Sequence, residues 1–379
     1  MVAYQCAGGI REKLMFMGLT TFDRHVIRRI FAGFVALVCM LIVFFIAMHY
    51  VEFMDDFFDR GASASEVFFV YYPSYIPEII KLVSPLALFL SAIFVTAKLS
   101  QELQIAVLMT SGVSIYRLML PYILLGCTVT ATIWWFNGWI VPEANRTRIE
   151  YEYRYFKDQR GKQRTRNLHL QDTRTGVMTI EYFDRRSNTA YTVSLQNFDD
   201  TNRIVERLDA REMNWIDSTG TWRLFEVTRR RFEEGRTEVR TPLAFVDTVL
   251  NLLPRDLRRT ERDVELLTIP EAEAYLDALR RSGASNIGRP LVEYWSKFTY
   301  PFANLILIAL SLPLAGIRRP GGQAVQIGVA FGVAFLYLVL QKIGEPLGYS
   351  GTIPPLIAAA TPHLLFALLA IVLIKRART

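Results

Sequence analysis

The chain has 379 residues, of which 51% are hydrophobic and 21% charged. A mean hydropathy of +0.22 excludes an ordinary soluble protein unless oil and charge are segregated, and they are. Residues 143–290 are crowded with Arg, Asp and Glu, while both flanks hold long runs with few charges.

The opening MVAYQCAGGIREKLMF lacks the apolar core and small-residue cleavage site of a signal peptide, and Met17 is an alternative start before the first apolar run. An apolar stretch of about 20 residues spans a hydrocarbon core of about 30 Å at about 1.5 Å per residue. Six such runs are expected as helices over 30–50, 76–97, 116–141, 298–317, 323–342 and 353–374. Pro85 interrupts the second, and the third begins near Pro121; neighbouring helices re-satisfy the freed carbonyls at such points.

Between the second and third runs lies AKLSQELQIAVLMTSGVS, residues 97–114. Ser100 is read as the cap of a short helix over about 99–112, with Gln101 and Glu102 in its first turn. Leu103, Ala106, Val107 and Leu108 give it an apolar surface, Gly112 lets the chain turn, and Ser114 caps the next helix. One reading is an interfacial helix that only joins two spans. The other is a coupling helix that seats its apolar face on a cytoplasmic motor and uses Glu102 for orientation.

From about 165 to 250 the pattern changes to period-two alternation. GVMTIEYF (176–183), NTAYTVSLQNF (188–198), RIVERLDAREMNW (203–215) and TWRLFEVTRRRF (221–232) are expected as strands. The turns between them begin at Asp184, Asp199, Asp217 and Glu233, the last ending at Gly235. Short strands at this spacing predict an all-β sandwich or jelly roll. An open edge of such a sheet could accept a strand from another β protein. A helix follows, with Thr268 as cap, Pro270 and acids in its first turn and Gly283 as its stop.

Gly328-Val-Ala-Phe-Gly332, extended by Ala324, places small residues on one helix face and lets a second helix approach, from this chain or a partner. Ionisable groups collect near the outer ends of the runs: His49, Glu52, Glu78, Lys81, Lys297, Lys342 and Glu345. Groups at that depth face a cavity, a partner or each other, so the cations are candidates for an anionic head group; each lysine could equally snorkel to the interface.

Lys and Arg dominate alternate short loops: Arg24, Arg28 and Arg29; Lys98 and Arg117; Arg318 and Arg319; Lys375, Arg376 and Arg378. This bias puts both termini in the cytoplasm and explains the formal charge of +7 without nucleic-acid binding. The three cysteines, Cys6, Cys39 and Cys127, leave 143–290 without a disulfide framework. Chemistry is not signalled. There is no P-loop, no metal-ligand cluster around His25, His49, His169 or His363, and no nucleophile elbow. The expectation is a non-catalytic protein without cofactor or metal.

Taken together, FDRHVIRRIF (22–31), QELQIAVLMTSGVSIYRL (101–118), EYWSKFTYPFANLILIALSLPL (293–314), GVAFGVAFLYLVLQKIGEPLG (328–348) and IPPLIAAATP (353–362) resemble the LptF/LptG family of lipopolysaccharide export permeases. The stretches Tyr294–Lys297 and Ile353–Pro355 are more similar to its LptG branch than to LptF. The resemblance implies a helical polytopic inner-membrane protein, three spans on either side of an inserted periplasmic all-β jellyroll domain. The expected divisions are a cytoplasmic 1–29, spans within 30–142, the β domain over 143–290, and spans with a short cytoplasmic tail over 291–379.

It also implies an ABC-transporter permease that pairs with its LptF/LptG paralogue around a lipopolysaccharide cavity. An LptB-type ATPase dimer would drive it, and LptC and LptA jellyroll proteins would receive the lipid. On that basis Glu102, Leu103, Ala106, Val107, Leu108 and Gly112 would couple to the ATPase. Lys81, Lys297, Lys342 and His49 would meet lipid, although His49 and Glu78 stand where the family's cations are sought. The competing expectation is a membrane anchor whose β domain only recruits envelope proteins.

Overall fold

A computed structural model describes residues 20–59, 61–155, 166–173, 175–184, 187–199, 201, 203–217, 219–232, 239–252, 263–282, 287–316 and 322–376. Met17, the turn over 233–235, Gly283, Arg318, Arg319 and Arg378 lie outside these residues.

Among the described residues, five helices are long and apolar enough to cross a membrane, and a bent pair passes the same test as a sixth span. They are α1 (Thr21–Asp59), α2 (Ala64–Gln101), α4 (Ile115–Glu152), the pair α6 (Gly288–Thr299) and α7 (Phe302–Ala315), α8 (Gly322–Tyr349) and α9 (Pro355–Arg376). The short α3 (Gln104–Thr110) lies between α2 and α4, and α5 (Ile269–Ser282) precedes α6.

Several helices exceed the apolar run that announced them. At 39 residues α1 is about 58 Å long, roughly twice the hydrocarbon thickness, so its polar ends project beyond a bilayer. Pro85 and Pro121 sit inside continuous helices. The fourth span is a correction to the expected 298–317: it starts at Gly288 and bends by 49°. Pro301 stands in the break and has no N–H to donate, so the ladder is interrupted there.

Two apolar cores organise the bundle. Val26 and Ile30 of α1, Leu88 and Leu99 of α2, Ile105 of α3, Leu118 and Leu125 of α4, and Ile308 of α7 form the first. Phe89 and Ile93 on another face of α2, Leu307 and Leu310 of α7, Ala334 and Tyr337 of α8, and Phe366 of α9 form the second. The most apolar window of α2 is 67% buried and that of α1 only 11%, so α2 is the bundle's axis and α1 its outermost wall.

The inserted segment forms one antiparallel sheet in the order β1 (Arg166–Gln171), β2 (Gly176–Asp184), β3 (Thr189–Phe198), β4 (Ile204–Ile216), β5 (Thr221–Arg231) and β6 (Val239–Thr248). Four of the strands match the expected segments; β1 and β6 extend the sheet on either side. Among the described residues the strand order is up-and-down. The turns between β2 and β5 are short, and short turns hold consecutive strands side by side.

The apolar alternation slips by one residue in four adjacent strands. Met178 and Ile180 point into the core and then Phe183; Ala190 is followed by Val193, Ala210 by Met213, and Leu224 by Val227. The slips align across the sheet, with positive φ at Thr192 and Glu226, and the strand register is the same on either side of them. The chain after β6 then crosses that core. The indole N–H of Trp222 donates to the Leu252 carbonyl at 2.7 Å, and the Asn251 amide donates to the Asp172 carboxylate at 2.7 Å. Burial raises the Asp172 carboxyl above its ordinary value, against the pull of these amides.

α5 starts as expected at Thr268, whose hydroxyl donates to Glu271 at 2.8 Å. Burial works to raise the Glu271 carboxyl, but bonds from Thr268 and Arg146 outweigh it and hold it below the usual range. Arg146 also donates to the Leu266 carbonyl at 2.9 Å, tying the returning chain to α4.

Candidate functional site

The end of α2 shows how residues 97–114 make a protruding element. The long helix does not stop at Ser100. It runs through Gln101, and the break comes at Glu102 and Leu103, where Leu103 adopts φ 59°. Ser100 is therefore not a helix cap, a correction to the expected start: its buried hydroxyl donates to the Gly316 carbonyl at 3.1 Å and links α2 to α7. A left-handed Leu is strained by about 1 kcal/mol or more, so the surroundings hold the break in place.

Beyond it, α3 is amphipathic with its faces divided. Ile105 is buried and Leu108 packs beside it against the first core. Glu102, Leu103, Ala106 and Val107 are exposed, Val107 at 63%. Gln104 Nε2 donates to Glu102 Oε2 at 2.8 Å and steadies the acid at the break. Gly112, at φ 91°, makes the turn, and Ser114 accepts from the Arg117 amide at 3.3 Å as the cap of α4.

Next to this element is an anchor that the sequence reading missed. Arg117 donates to Asp23 through both terminal nitrogens, at 2.9 and 2.6 Å, and the Asp23 side chain is buried. Asp23 also accepts from the Thr20 amide at 2.8 Å, closing a capping box at the start of α1. The Thr20-x-x-Asp23 spacing was the available signal; its partner 94 residues away was not.

At the other end of the bundle, a chamber of about 320 Å³ opens between α2, α4, α6 and α8. It brings Lys81, Lys297 and Lys342 together, as expected. It also brings Glu78, Glu265, Glu293 and Glu345, so the charges largely compensate. Lys81 pairs with Glu78 at 2.6 Å, Arg289 with Glu293 at 2.8 Å, and Lys342 with Glu345 at 3.3 Å. Lys297 is 6% exposed and makes no ion pair among the described residues. Its carbonyl is fixed by Asn137 Nδ2 at 3.1 Å.

The family described as "Lipopolysaccharide export system permease LptF/LptG" matches residues 24–376. The chain belongs to it. The "Lipopolysaccharide export system permease protein LptG" of Escherichia coli strain K12 is 23% identical over 368 residues, covering 93% of this chain and 98% of the relative. The protein of the same name from Escherichia coli O6:H1 strain CFT073 shows the same identity and coverage.

Two other expectations for this LptF/LptG permease resolve differently. His49 is not part of the ionic chamber; it is packed among Phe53, Tyr71, Tyr72 and Tyr75, with the Tyr71 hydroxyl 3.3 Å from its Nε2. Arg148 lies over the Tyr75 ring at 5.1 Å and pairs with Glu152 at 3.3 Å, so the cluster ties α1 to α2 and α4. Aromatic rings around a histidine could not be foreseen from His49 alone. The Ala324, Gly328 and Gly332 face is exposed and meets no helix among the described residues: a Cβ added at either glycine would find nothing within 4 Å.

Proposed function

We propose that this permease is the membrane subunit of an ATP-driven lipopolysaccharide exporter, with α3 as the part that receives work from a cytoplasmic LptB-type ATPase. Membership of the family carries the role in lipopolysaccharide export. The observation that carries the coupling role is the division of α3, with Ile105 and Leu108 rooted in the bundle core and Glu102, Leu103, Ala106 and Val107 presented outward. An interfacial linker would bury that face in lipid, where a carboxylate at its leading edge is unfavourable. Both termini and α3 lie on the cytoplasmic side in this reading, and the β domain is periplasmic.

The subunit itself is non-catalytic and hydrolysis belongs to its partner. The bare Ala324, Gly328 and Gly332 face of α8 receives a helix of the LptF/LptG paralogue. Lys342, whose side chain is 73% exposed, and Lys297, the buried cation without an ion pair among the described residues, meet lipid phosphates. Lys81 is held by Glu78 and contributes less. The outer edges of β1 and β6 carry no partner strand among the described residues, and each offers LptC- or LptA-type proteins a pairing site.

The test is Val107→Asp together with Glu102→Lys in the assembled complex. Both should reach the membrane and fold, yet lose stable association with the ATPase or release lipopolysaccharide no faster with ATP than without. Wild-type ATPase recovery and ATP-dependent release in both variants would refute the assignment.

A further inference from the structure

A second cavity lies at the α3 end of the bundle, away from the ionic chamber. It holds about 640 Å³ between α1, α2 and α8. Its lining is apolar from Gly33, Leu37 and Met40 across to Phe94 and Phe331, apart from Ser91 and two cations at one end, Arg29 and Lys98. No carboxylate lines it, and neither cation makes an ion pair among the described residues.

The dimensions are informative. Arg29 and Met40 are 11 residues apart on α1, about 16 Å along the axis. One leaflet of hydrocarbon is about 15 Å deep, half of a core of about 30 Å. The groove is therefore one leaflet long, with its positive end at the membrane surface and its apolar end at the midplane. Its floor is built for close approach. A Cβ on Gly33 would clash with Ser91 Oγ, and that hydroxyl donates to the Ile30 carbonyl at 2.7 Å. With its hydroxyl turned onto the backbone of α1, Ser91 leaves an apolar trough with a two-cation rim.

We infer that this groove holds one anionic glycerophospholipid of the cytoplasmic leaflet, its phosphate between Arg29 and Lys98 and an acyl chain along α1 and α2 toward Met40. Charge complementarity at one end and apolarity over a single leaflet select this occupant over a protein helix, which would leave both cations without a counter-charge. The choice of leaflet rests on the sidedness proposed above. A resident phospholipid would wedge α1 from α8 in the lower half of the membrane and keep lipopolysaccharide in the upper half.

The experiment places a photoreactive benzoylphenylalanine at Phe94, which is 53% exposed, and in a parallel strain at Lys342, then identifies adducts of the intact complex by mass spectrometry. The expected result is a phospholipid adduct at Phe94 and lipopolysaccharide at Lys342. Arg29→Gln with Lys98→Gln should cut the Phe94 phospholipid adduct at least fivefold. Ala36→Trp, which fills the groove and keeps both cations, should abolish it. Lipopolysaccharide or a peptide of another subunit at Phe94 would overturn the inference, as would an adduct unchanged in both variants. Loss of the Lys342 adduct with a phospholipid still captured at Phe94 would overturn the chamber assignment instead.

Discussion

Leu103→Gly separates the fold of the permease from its coupling to an ATPase. Leu103 has φ 59°, a conformation that costs a non-glycine residue about 1–2 kcal/mol and glycine almost nothing. Glycine returns most of that gain through the greater entropy of the unfolded chain, about 0.5–1 kcal/mol. The permease alone should therefore keep its stability within about 0.5 kcal/mol. Docking is another matter. Leu103 is 46% exposed, so a groove that buries the remainder gains nearly half of the roughly 2.5 kcal/mol of a fully buried Leu, about 1.2 kcal/mol. Glycine loses that contribution, which corresponds to a binding constant weaker by about eightfold. Equilibrium unfolding in mixed detergent micelles reads the first quantity, and titration of the purified ATPase onto the permease in nanodiscs reads the second. Unchanged ATPase affinity, or a permease destabilised by several kcal/mol, would refute the reasoning that the break exists to present this side chain.

The Asp23 and Arg117 pair predicts a coupled loss. Each single alanine variant leaves a buried or half-buried charge behind and should cost about 2–4 kcal/mol, with a non-additivity of about 2 kcal/mol in the double variant, read by the same unfolding assay. In the β domain, Asp172→Ala strands the Asn251 and Leu252 amides, and hydrogen exchange at both should accelerate about tenfold or more. Because burial holds the Asp172 carboxyl above its unfolded value, its contribution to stability is fully present below the ordinary carboxylate range. It is lost as pH rises through the folded value, and Asp172→Asn should remove that part of the pH dependence of exchange at Asn251.

Local signals were legible in the sequence and pairings were not. Long apolar runs announced the spans, since a bilayer leaves few alternatives to a helix. The strands β2 to β5 were legible because β-branched and aromatic residues alternate between turn residues. β1 was hidden by its length and its neighbouring arginines, and β6 by Pro242, which a sheet admits at an edge and which pairs there with Thr228. The lysines of the chamber were legible as groups at span ends, as were Glu78 and Glu345, three residues from Lys81 and Lys342; Glu265 and Glu293, which complete the compensation, were not. The exposed side of α3 was legible from its apolar residues, whereas the exact break was not. Only the bond from Ser100 to Gly316 shows why the preceding helix continues past a good capping residue.

The two cores give the bundle a direction of transmission. α2 and α7 contribute side chains to both; α1, α3 and α4 contribute to the first and α8 to the second, while α9 lies in the second and packs Ile374 against both. A push on α3 is therefore not absorbed by a loose loop. Ile105 and Leu108 pass it into the first core, while the Asp23–Arg117 pair binds the ends of α1 and α4 on either side of α3. The Ser100 bond carries it directly to the end of α7. α8 receives the push through the second core, where Ala330 and Ala334 pack beside the large Tyr337, which meets Phe366 and His363 of α9, and where Gln326 donates to the Ala315 carbonyl of α7 at 3.1 Å. The apolar windows of α1 and α8 are the least buried of the described spans, at 11% and 22%. These two helices flank the apolar groove, and α8 carries the uncovered Gly328 and Gly332 face. Relative motion of the first core against α8 would therefore widen or narrow the side of the bundle proposed above to receive a paralogue's helix.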